Sequence, residues 1–415
     1  MRMVALDVLM DVLENGAYAN IALRKALSAG EPRDRAFVTE LVNETLRNLR
    51  LIDGVVNHFS KLSVDKMKPV VRNVLRLTVC QLRVLTKIPP HAAVHEAVEL
   101  TKKRGQAGLA GFVNGLLRNV VRKPNEPTIP PDNWALRYSF PDKLAADVET
   151  WLGKEKAVIF AGHSHAIPSV TVFVNTLKTT PDALAARLHT EGVSCTDISG
   201  GFLALHSVGD MTELAPFKEG LFFVMDAGAI TPVDALDVKP GMTLLDLCAA
   251  PGGKSFAAAC KMQNRGTIYA MDIHPHRVAL IKNTAKRLGI TNLQTRTGDA
   301  REKQPDIPPT DAVLLDAPCS GLGTLRKRPE IKHRYKGIDP VLLTTQQALL
   351  TAAANYVKPG GILVYSTCTV SREENDAIIT RFCNTQPGFT LEKSSLLLPG
   401  PHNDGFFTAR MRKGQ

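Results

Sequence analysis

Two cysteines and an aspartate, each closing an apolar run, carry most of the chemical information in this chain. Ala312-Val313-Leu314-Leu315 leads into Asp316-Ala317-Pro318-Cys319-Ser320-Gly321-Leu322, and Ile362-Leu363-Val364-Tyr365 leads into Ser366-Thr367-Cys368-Thr369. Short apolar and β-branched runs bounded by Gly, Pro and Asp read as buried strands of a parallel sheet. Such sheets gather ligands at the carboxyl ends of their strands. Cys319, Cys368 and Asp316 are therefore expected to face one pocket. A lone cysteine there is more often a buried core thiol; two thiols with a carboxylate point to chemistry.

That chemistry is alkylation of carbon 5 of a pyrimidine. C5 of cytosine is a poor nucleophile until a thiolate adds to C6 and turns the ring into an enamine. A carboxyl group at N3 supports the addition by neutralising charge that builds on the ring. Afterwards the C5 proton must leave and the thiolate must be expelled, so a second acid or base beside the first is useful. Covalent catalysis of this kind divides one hard step into easier ones.

The methyl donor has its own signature upstream. Met242-Thr243-Leu244-Leu245-Asp246-Leu247 reads as a strand, followed by Cys248-Ala249-Ala250-Pro251-Gly252-Gly253-Lys254 and a helix opening at Ser255. Adjacent glycines between strand and helix let a ligand approach the backbone closely. A second strand, Gly266–Asp272, ends in an acid placed to accept ribose hydroxyls, so an adenosine-bearing cofactor is expected. The G-x-G-x-x-G of dinucleotide oxidoreductases is missing. Asp299, after the strand-like Leu293–Arg296, is a candidate for the adenine edge, although Gly298-Asp299 alone also reads as a solvated turn.

With these motifs in hand, residues 240–415 resemble the RNA cytosine-C5 methyltransferases that use S-adenosyl-L-methionine, and within them the bacterial Sun/Fmu type, which acts on 16S rRNA. The resemblance is carried by Asp246–Lys254, Asp316–Gly321, Thr367-Cys368 and the tail Asp404–Arg410. It implies Cys368 as nucleophile, Cys319 as the residue assisting product release, and Asp316 in contact with both base and cofactor. It further implies a cofactor cradle of Cys248, Ala249, Ala250, Pro251, Gly252, Gly253, Lys254, Asp272, Asp299 and Asp316, and a target at position 967 of 16S rRNA. DNA cytosine methyltransferases attack instead with the cysteine of the Pro-Cys motif, so a nucleophile at Cys368 argues for RNA.

The chain has 415 residues, 44% of them hydrophobic, which suits two or three domains with real cores. Acidic residues interrupt the first segment, so a signal peptide is not expected, and no run approaches the length of a membrane span. The cysteines at 80, 195, 248, 260, 319, 368 and 383 show neither metal spacing nor a paired framework. A reducing cytoplasmic setting, no metal and a monomer are expected. Residues 1–125 hold 20 Lys/Arg against 11 Asp/Glu, most of the chain's surplus of +11. That excess suits phosphate contacts.

The expected fold is multidomain. Residues 1–125 read as an all-α domain: Asp7, Asp11 and Glu14 form a polar stripe beside Val4, Val8 and Val12. Leu109, Phe112, Val113, Leu116, Leu117, Val120 and Val121 follow helical spacing. Arg33–Val42 and the later helix resemble the antitermination factor NusB. Asn114, Arg118 and Arg122, with Lys102-Lys103-Arg104, are candidates to grip RNA, a solvated charged face being the alternative reading of any one of them. Residues 126–235 open on the proline-rich linker Lys123–Pro131 and continue through helices at 134–161. They end in a small α+β part that resembles an RNA-recognition subdomain. There Asn175-Thr176-Leu177-Lys178 matches the family, while Met225-Asp226-Ala227-Gly228 departs from the usual Gln-Asp-Ala-Ser, leaving a substrate contact at Met225 in doubt. Residues 236–415 read as an α/β Rossmann-like class I methyltransferase domain. The basic run Arg326, Lys327, Arg328, Lys332, His333, Arg334 and Lys336, so near Cys319, is expected to meet phosphates. The implied substrate is 16S rRNA or a small-subunit assembly intermediate; a tRNA cytosine-C5 methyltransferase and a non-catalytic NusB-like RNA-binding factor are the alternatives.

Overall fold

The computed structural model describes residues 1–28, 32–85, 88–130, 132–206 and 208–415. Pro131 of the linker and the side chain of Arg33 lie outside the described residues. The chain divides into two compact units. One comprises Met1–Ala166 with Leu325–Gly337, the other Ile167–Thr324 with Ile338–Gln415. Among the described residues no helix is long and apolar enough to cross a membrane, and no three His, Cys, Asp or Glu side chains group as metal ligands.

The first unit is all-helical. It contains α1 (Arg2–Leu13), α2 (Ala19–Ala26), α3 (Pro32–Arg47), α4 (Leu49–Phe59), α5 (Pro69–Arg83), α6 (Pro90–Lys103), α7 (Ala110–Arg122), α8 (Trp134–Arg137), α9 (Asp142–Leu152) and α10 (Lys154–His165). Helix α5 is buried on most sides, with Val71, Val74, Leu75, Leu77, Val79 and Cys80 in the core and the polar Asn73, Arg76, Thr78 and Gln81 buried beside them. In α1, Ala5, Leu6, Val8, Leu9 and Val12 are buried while Asp7 and Asp11 face water, as the spacing predicts. In α7 the buried stripe is Val113, Leu116, Leu117 and Val120; Phe112 and Val121, expected inside, are exposed. The four buried residues are a complete i, i+3, i+4, i+7 set, and the two outliers fall beyond its edges.

In the second unit a four-stranded antiparallel sheet, order β2-β3-β1-β4, is built from β1 (Val170–Val174), β2 (Ser194–Asp197), β3 (Phe202–His206) and β4 (Phe222–Val224). Helix α11 (Pro181–Thr190) covers one face through Leu184 and Leu188, which cluster with Val172, Val174 and Leu203. The opposite face presents Phe173, Phe202 and Phe223 to the methyltransferase-like core, where Phe223 stands edge-on to Phe256. The period of two in a strand accounts for this split. Helices α12 (Ala215–Lys218) and α13 (Thr231–Leu236) complete the connection to the larger sheet.

That sheet has seven strands in the order β10-β11-β9-β8-β5-β6-β7. Strands β5 (Thr243–Asp246), β6 (Thr267–Asp272), β7 (Leu293–Thr297), β8 (Thr310–Asp316) and β9 (Val357–Thr367) run parallel. The hairpin of β10 (Phe389–Leu397) and β11 (Phe406–Lys413) adds antiparallel to β9. Helices α14 (Gly253–Lys261), α15 (Pro275–Leu288), α17 (Pro340–Ala354) and α18 (Asp376–Thr385) make the crossovers, and α16 (Glu330–Arg334) lies in the segment counted with the first unit. Strand order reverses between β5 and β8, and in such sheets ligands bind at the carboxyl ends of the strands at that switch point.

The segment Leu325–Gly337 overturns the expectation of phosphate contact. Lys332 is fully buried, and its Nζ donates to the carbonyls of Arg47 (2.9 Å) and Tyr138 (3.1 Å). His333 Nε2 meets Leu46 O at 2.7 Å, and Arg334 donates to Val12 O (3.0 Å) and to Ala17 O. Arg328 and Arg334 stack over the Tyr18 ring, and Arg326 is buried. Several of these carbonyls belong to the last turns of α1 and α3. Helix C-termini leave carbonyls unpaired and favour cations. The basic run is thus a shared cap for helix ends, and only Lys327 and Lys336 of it are exposed.

Candidate active site

Each of the five parallel strands delivers a residue singled out in the sequence. β5 ends at Asp246, β6 at Asp272, β8 at Asp316; Asp299 follows β7 by two residues, and Cys368 follows β9 directly. Lys254, in the first turn of α14, places Nζ 2.6 Å from Asp316 Oδ2 and 5.3 Å from the centre of the Phe406 ring. Asp316 Oδ1 accepts the hydroxyl of Ser366 at 2.7 Å. Burial alone would lower the Lys254 pKa, but the Asp316 carboxylate, with Cys368 and Asp246, raises it, so the ammonium persists.

The turn from β5 into α14 is built for close approach. Gly252 has φ +108°, and a Cβ there would lie 2.3 Å from Phe256 Cζ. Met225 is buried with its Cγ 3.7 Å from the position a Gly253 Cβ would take, so it packs beneath the loop and is not presented to a substrate. Asp246 Oδ2 accepts Ser255 Oγ at 2.6 Å, while Oδ1 is buried without a partner. Burial, with Asp316 and Asp272 nearby, pushes its pKa up to about 7. Cys248 is raised too, by burial and then by Asp246, Asp316, Asp272 and Asp299. The four carboxylates that act on this thiol give the carboxyl ends of β5, β6 and β8 a negative character that suits a cationic ligand.

Asp272 is buried and accepts the His274 N–H through Oδ1 at 2.9 Å. Asp299 is held by the backbone N–H and guanidinium of Arg301, which lowers its pKa. It is half-buried.

Cys319 and Cys368 are brought together, with Sγ atoms 3.4 Å apart and both partly exposed. The two are not equivalent. The Cys319 pKa is raised well above that of a free thiol, first by its hydrogen bond to Cys368, then by burial and by the charges of Cys368, Glu374 and Asp316. Cys319 is therefore held as a thiol beside Cys368. Gly323 closes the loop: its N–H donates to Cys368 O at 2.9 Å, and a Cβ there would strike Gly405 O at 2.3 Å.

Sequence reasoning passed over Glu374, Asn375 and Gln346, which support both cysteine loops. The only local signal was that Glu374-Asn375 precedes a helix.

A seven-stranded sheet of this order, with an acid at the end of each of β5, β6 and β8, defines a Rossmann-like class I methyltransferase fold. Residues 233–412 match the family described as 16S rRNA methyltransferase RsmB/F, and residues 1–122 match the NusB family. The chain is 37% identical to the probable ribosomal RNA small subunit methyltransferase B of Bacillus subtilis (strain 168), over 99% of this chain and 98% of the relative. It is 29% identical to the ribosomal RNA small subunit methyltransferase B of Klebsiella pneumoniae (strain 342), over 100% and 98%. The crystal structure of PH0851 superposes with a TM-score of 0.81 at 27% identity, covering 99% of each chain. This chain belongs to the RsmB/F methyltransferase family and carries a NusB domain at its N-terminus.

Proposed function

We propose that the protein methylates C5 of a cytosine in small-subunit ribosomal RNA, at position 967 of the 16S molecule by resemblance to the family. The observation that carries this reading is the pair of sulfurs 3.4 Å apart at the ends of β8 and β9, beside the Lys254–Asp316 ion pair. S-adenosyl-L-methionine, when bound, supplies an electrophilic methyl group. The buried, unpartnered Asp246 Oδ1 fits a group bearing positive charge, and Cys248–Lys254, Asp272, Asp299 and Asp316 would hold the cofactor.

Cys368 Sγ adds to C6 and forms the S–C6 bond, while Asp316 steadies the charge at N3. Once C5 carries the methyl group, its proton must go to a base and the S–C6 bond must break. Cys319 stands where that base is needed. Its Sγ lies 3.4 Å from Cys368 Sγ, so it stays beside the ring once Cys368 is bonded to C6. A duplex hides the target atom, so the base comes from a single strand or is flipped out.

Arg118 and Arg122 suit the RNA backbone. Together with His91, His95, Val94, Val98 and Val121 they line a groove of about 670 Å³ along α6 and α7, and both are exposed. Of the neighbouring cations, Arg104 pairs with Asp7 and Lys102 with Glu99.

The test separates the cysteines. Cys368→Ala should abolish methylation and form no covalent link to RNA. Cys319→Ala should still attack and accept the methyl group, so a denaturant-resistant protein–RNA adduct should accumulate. An adduct appearing only in Cys368→Ala would reverse the roles, and full methylation by both variants would end the covalent mechanism. Bisulfite sequencing of ribosomal RNA from a deletion strain locates the cytosine.

A further inference from the structure

Glu374 and Asn375 are consecutive, both are buried, and each holds a different cysteine loop. Glu374 Oε2 accepts the Ser320 N–H (2.8 Å) and Gln346 Nε2 (3.0 Å), and Oε1 accepts the Ser320 hydroxyl. Gln346 Nε2 also donates to Pro318 O at 2.9 Å. The residues on both sides of Cys319 are thereby fixed to one carboxylate. Asn375 treats Cys368 the same way: its Oδ1 accepts Thr367 Oγ1 (2.6 Å) and its Nδ2 donates to Thr369 O (3.0 Å). The two clamps meet where Ser320 Oγ and Thr369 Oγ1 lie 2.8 Å apart. Because the Ser320 proton is given to Glu374, the Thr369 hydroxyl donates to Ser320. Tyr365 OH, donating to Glu374 O at 2.7 Å, locks the dipeptide to β9.

We propose that Glu374 and Asn375 are a positioning pair for the methyl-transfer reaction, Glu374 setting the place of Cys319 and Asn375 that of Cys368. Neither touches substrate; together they fix the sulfur–sulfur spacing. The inference rests on the two-thiol reading of the site. Buried hydrogen-bonded networks of this kind rigidify the groups they hold. A displacement of about 1 Å in a reacting group costs on the order of 10²-fold in rate.

The test reads the spacing without RNA. Dibromobimane becomes strongly fluorescent after two thiols displace both bromides, each C–S bond forming as bromide and the thiol proton leave. In the full chain it should bridge Cys319 and Cys368, with Cys319→Ser as the blank. Glu374→Ala and Asn375→Ala should each slow bridging about tenfold or more, with S-adenosylmethionine affinity by calorimetry kept within about twofold. Methylation kcat should fall on the order of 10²-fold in both, but for different reasons. Glu374→Ala should accumulate the RNA adduct, as Cys319→Ala does, whereas Asn375→Ala should form it slowly. If the alanine variants do not fold, Glu374→Gln carries the test. Its amide presents a donor where Glu374 accepts, so bridging should still slow while cofactor affinity is retained. Unchanged bridging, or cofactor affinity falling in step with bridging in Glu374→Gln, overturns the proposal. Because bridging needs no RNA, its result stands even if the chain fails to methylate ribosomal RNA.

Discussion

Lys254 and Lys332 are both withdrawn from solvent, and their surroundings hold them in opposite states. Lys254 faces the Asp316 carboxylate at 2.6 Å, with Asp246 nearby, and its pKa is raised. Lys332 donates to the carbonyls of Arg47 and Tyr138, with the Phe140 ring beside it; burial and then the Arg47 charge bring its pKa down to about 7 against the opposing pull of Glu44. Both surroundings leave buried polar atoms unpaired, Asp246 Oδ1 near Lys254 and Arg47 Nε near Lys332, so neither burial nor an open hydrogen-bonding group separates them. What separates them is the carboxylate in contact with Lys254 Nζ.

The largest contrast should come from replacing each lysine. Lys254→Met leaves Asp316 among other carboxylates without its cation. Without that cation Asp316 is no longer fixed, and methylation per folded molecule should fall on the order of 10²–10³-fold, about 3–4 kcal/mol in the barrier. Lys332→Met should leave kcat per folded molecule within about twofold. Equal loss in both variants would erase the distinction.

Acid should separate the two units next. Burial and the nearby Lys332 charge bring His333 to about 3, and burial with the Lys332 and Arg47 charges does the same for His165. The unfolded histidines bind protons near 6.5, so stability is present above that value and is lost as pH falls from 6.5 toward 3. For Lys332, the unfolded chain holds the extra proton between about 7 and 10.5, so the helical unit should gain stability as pH rises through that range. Each effect should be on the order of a few kcal/mol. Hydrogen exchange in α3 and α5 against pH measures both; Lys332→Met should flatten the alkaline slope and, by removing the charge that helps lower His333 and His165, make the acid slope shallower as well.

Smaller effects sharpen the picture. Asp272→Ala should weaken S-adenosylmethionine binding by about 1.5–3 kcal/mol and leave RNA affinity unchanged; calorimetry showing equal cofactor affinity would remove Asp272 from the site. Arg118→Glu and Arg122→Glu should each reduce the salt dependence of RNA binding by about one unit of slope. A slope identical to that of the unaltered chain would make the α6–α7 groove a solvated face.

The catalytic half was readable in the sequence because its signals are local. A β-branched run closed by Asp, Pro or Gly is a buried strand and its end in one stroke, so Asp246, Asp272, Asp316 and Cys368 fell into place with their strands. The clamp on the cysteines was not readable, since Glu374 joins Ser320, Gln346 and Tyr365 from separate elements and nothing in its own neighbourhood announces them. Lys332 and His333 were harder still. A basic cluster in sequence looks solvated, and their burial depends on carbonyls nearly 290 residues earlier in the chain.

The placement of Leu325–Gly337 also sets an order of events during synthesis. The helical unit is two stretches of chain, and residues 167–324 are made between them. At roughly 5–20 residues per second on the ribosome, the first stretch waits on the order of ten seconds for its second. Until Lys332, His333 and Arg334 emerge, the carbonyls of Val12, Ala17, Leu46, Arg47 and Tyr138 lack the donors that cap them. A fragment ending at Ala166 would stay in that waiting state, so the NusB-like half matures only after much of the catalytic half has left the ribosome.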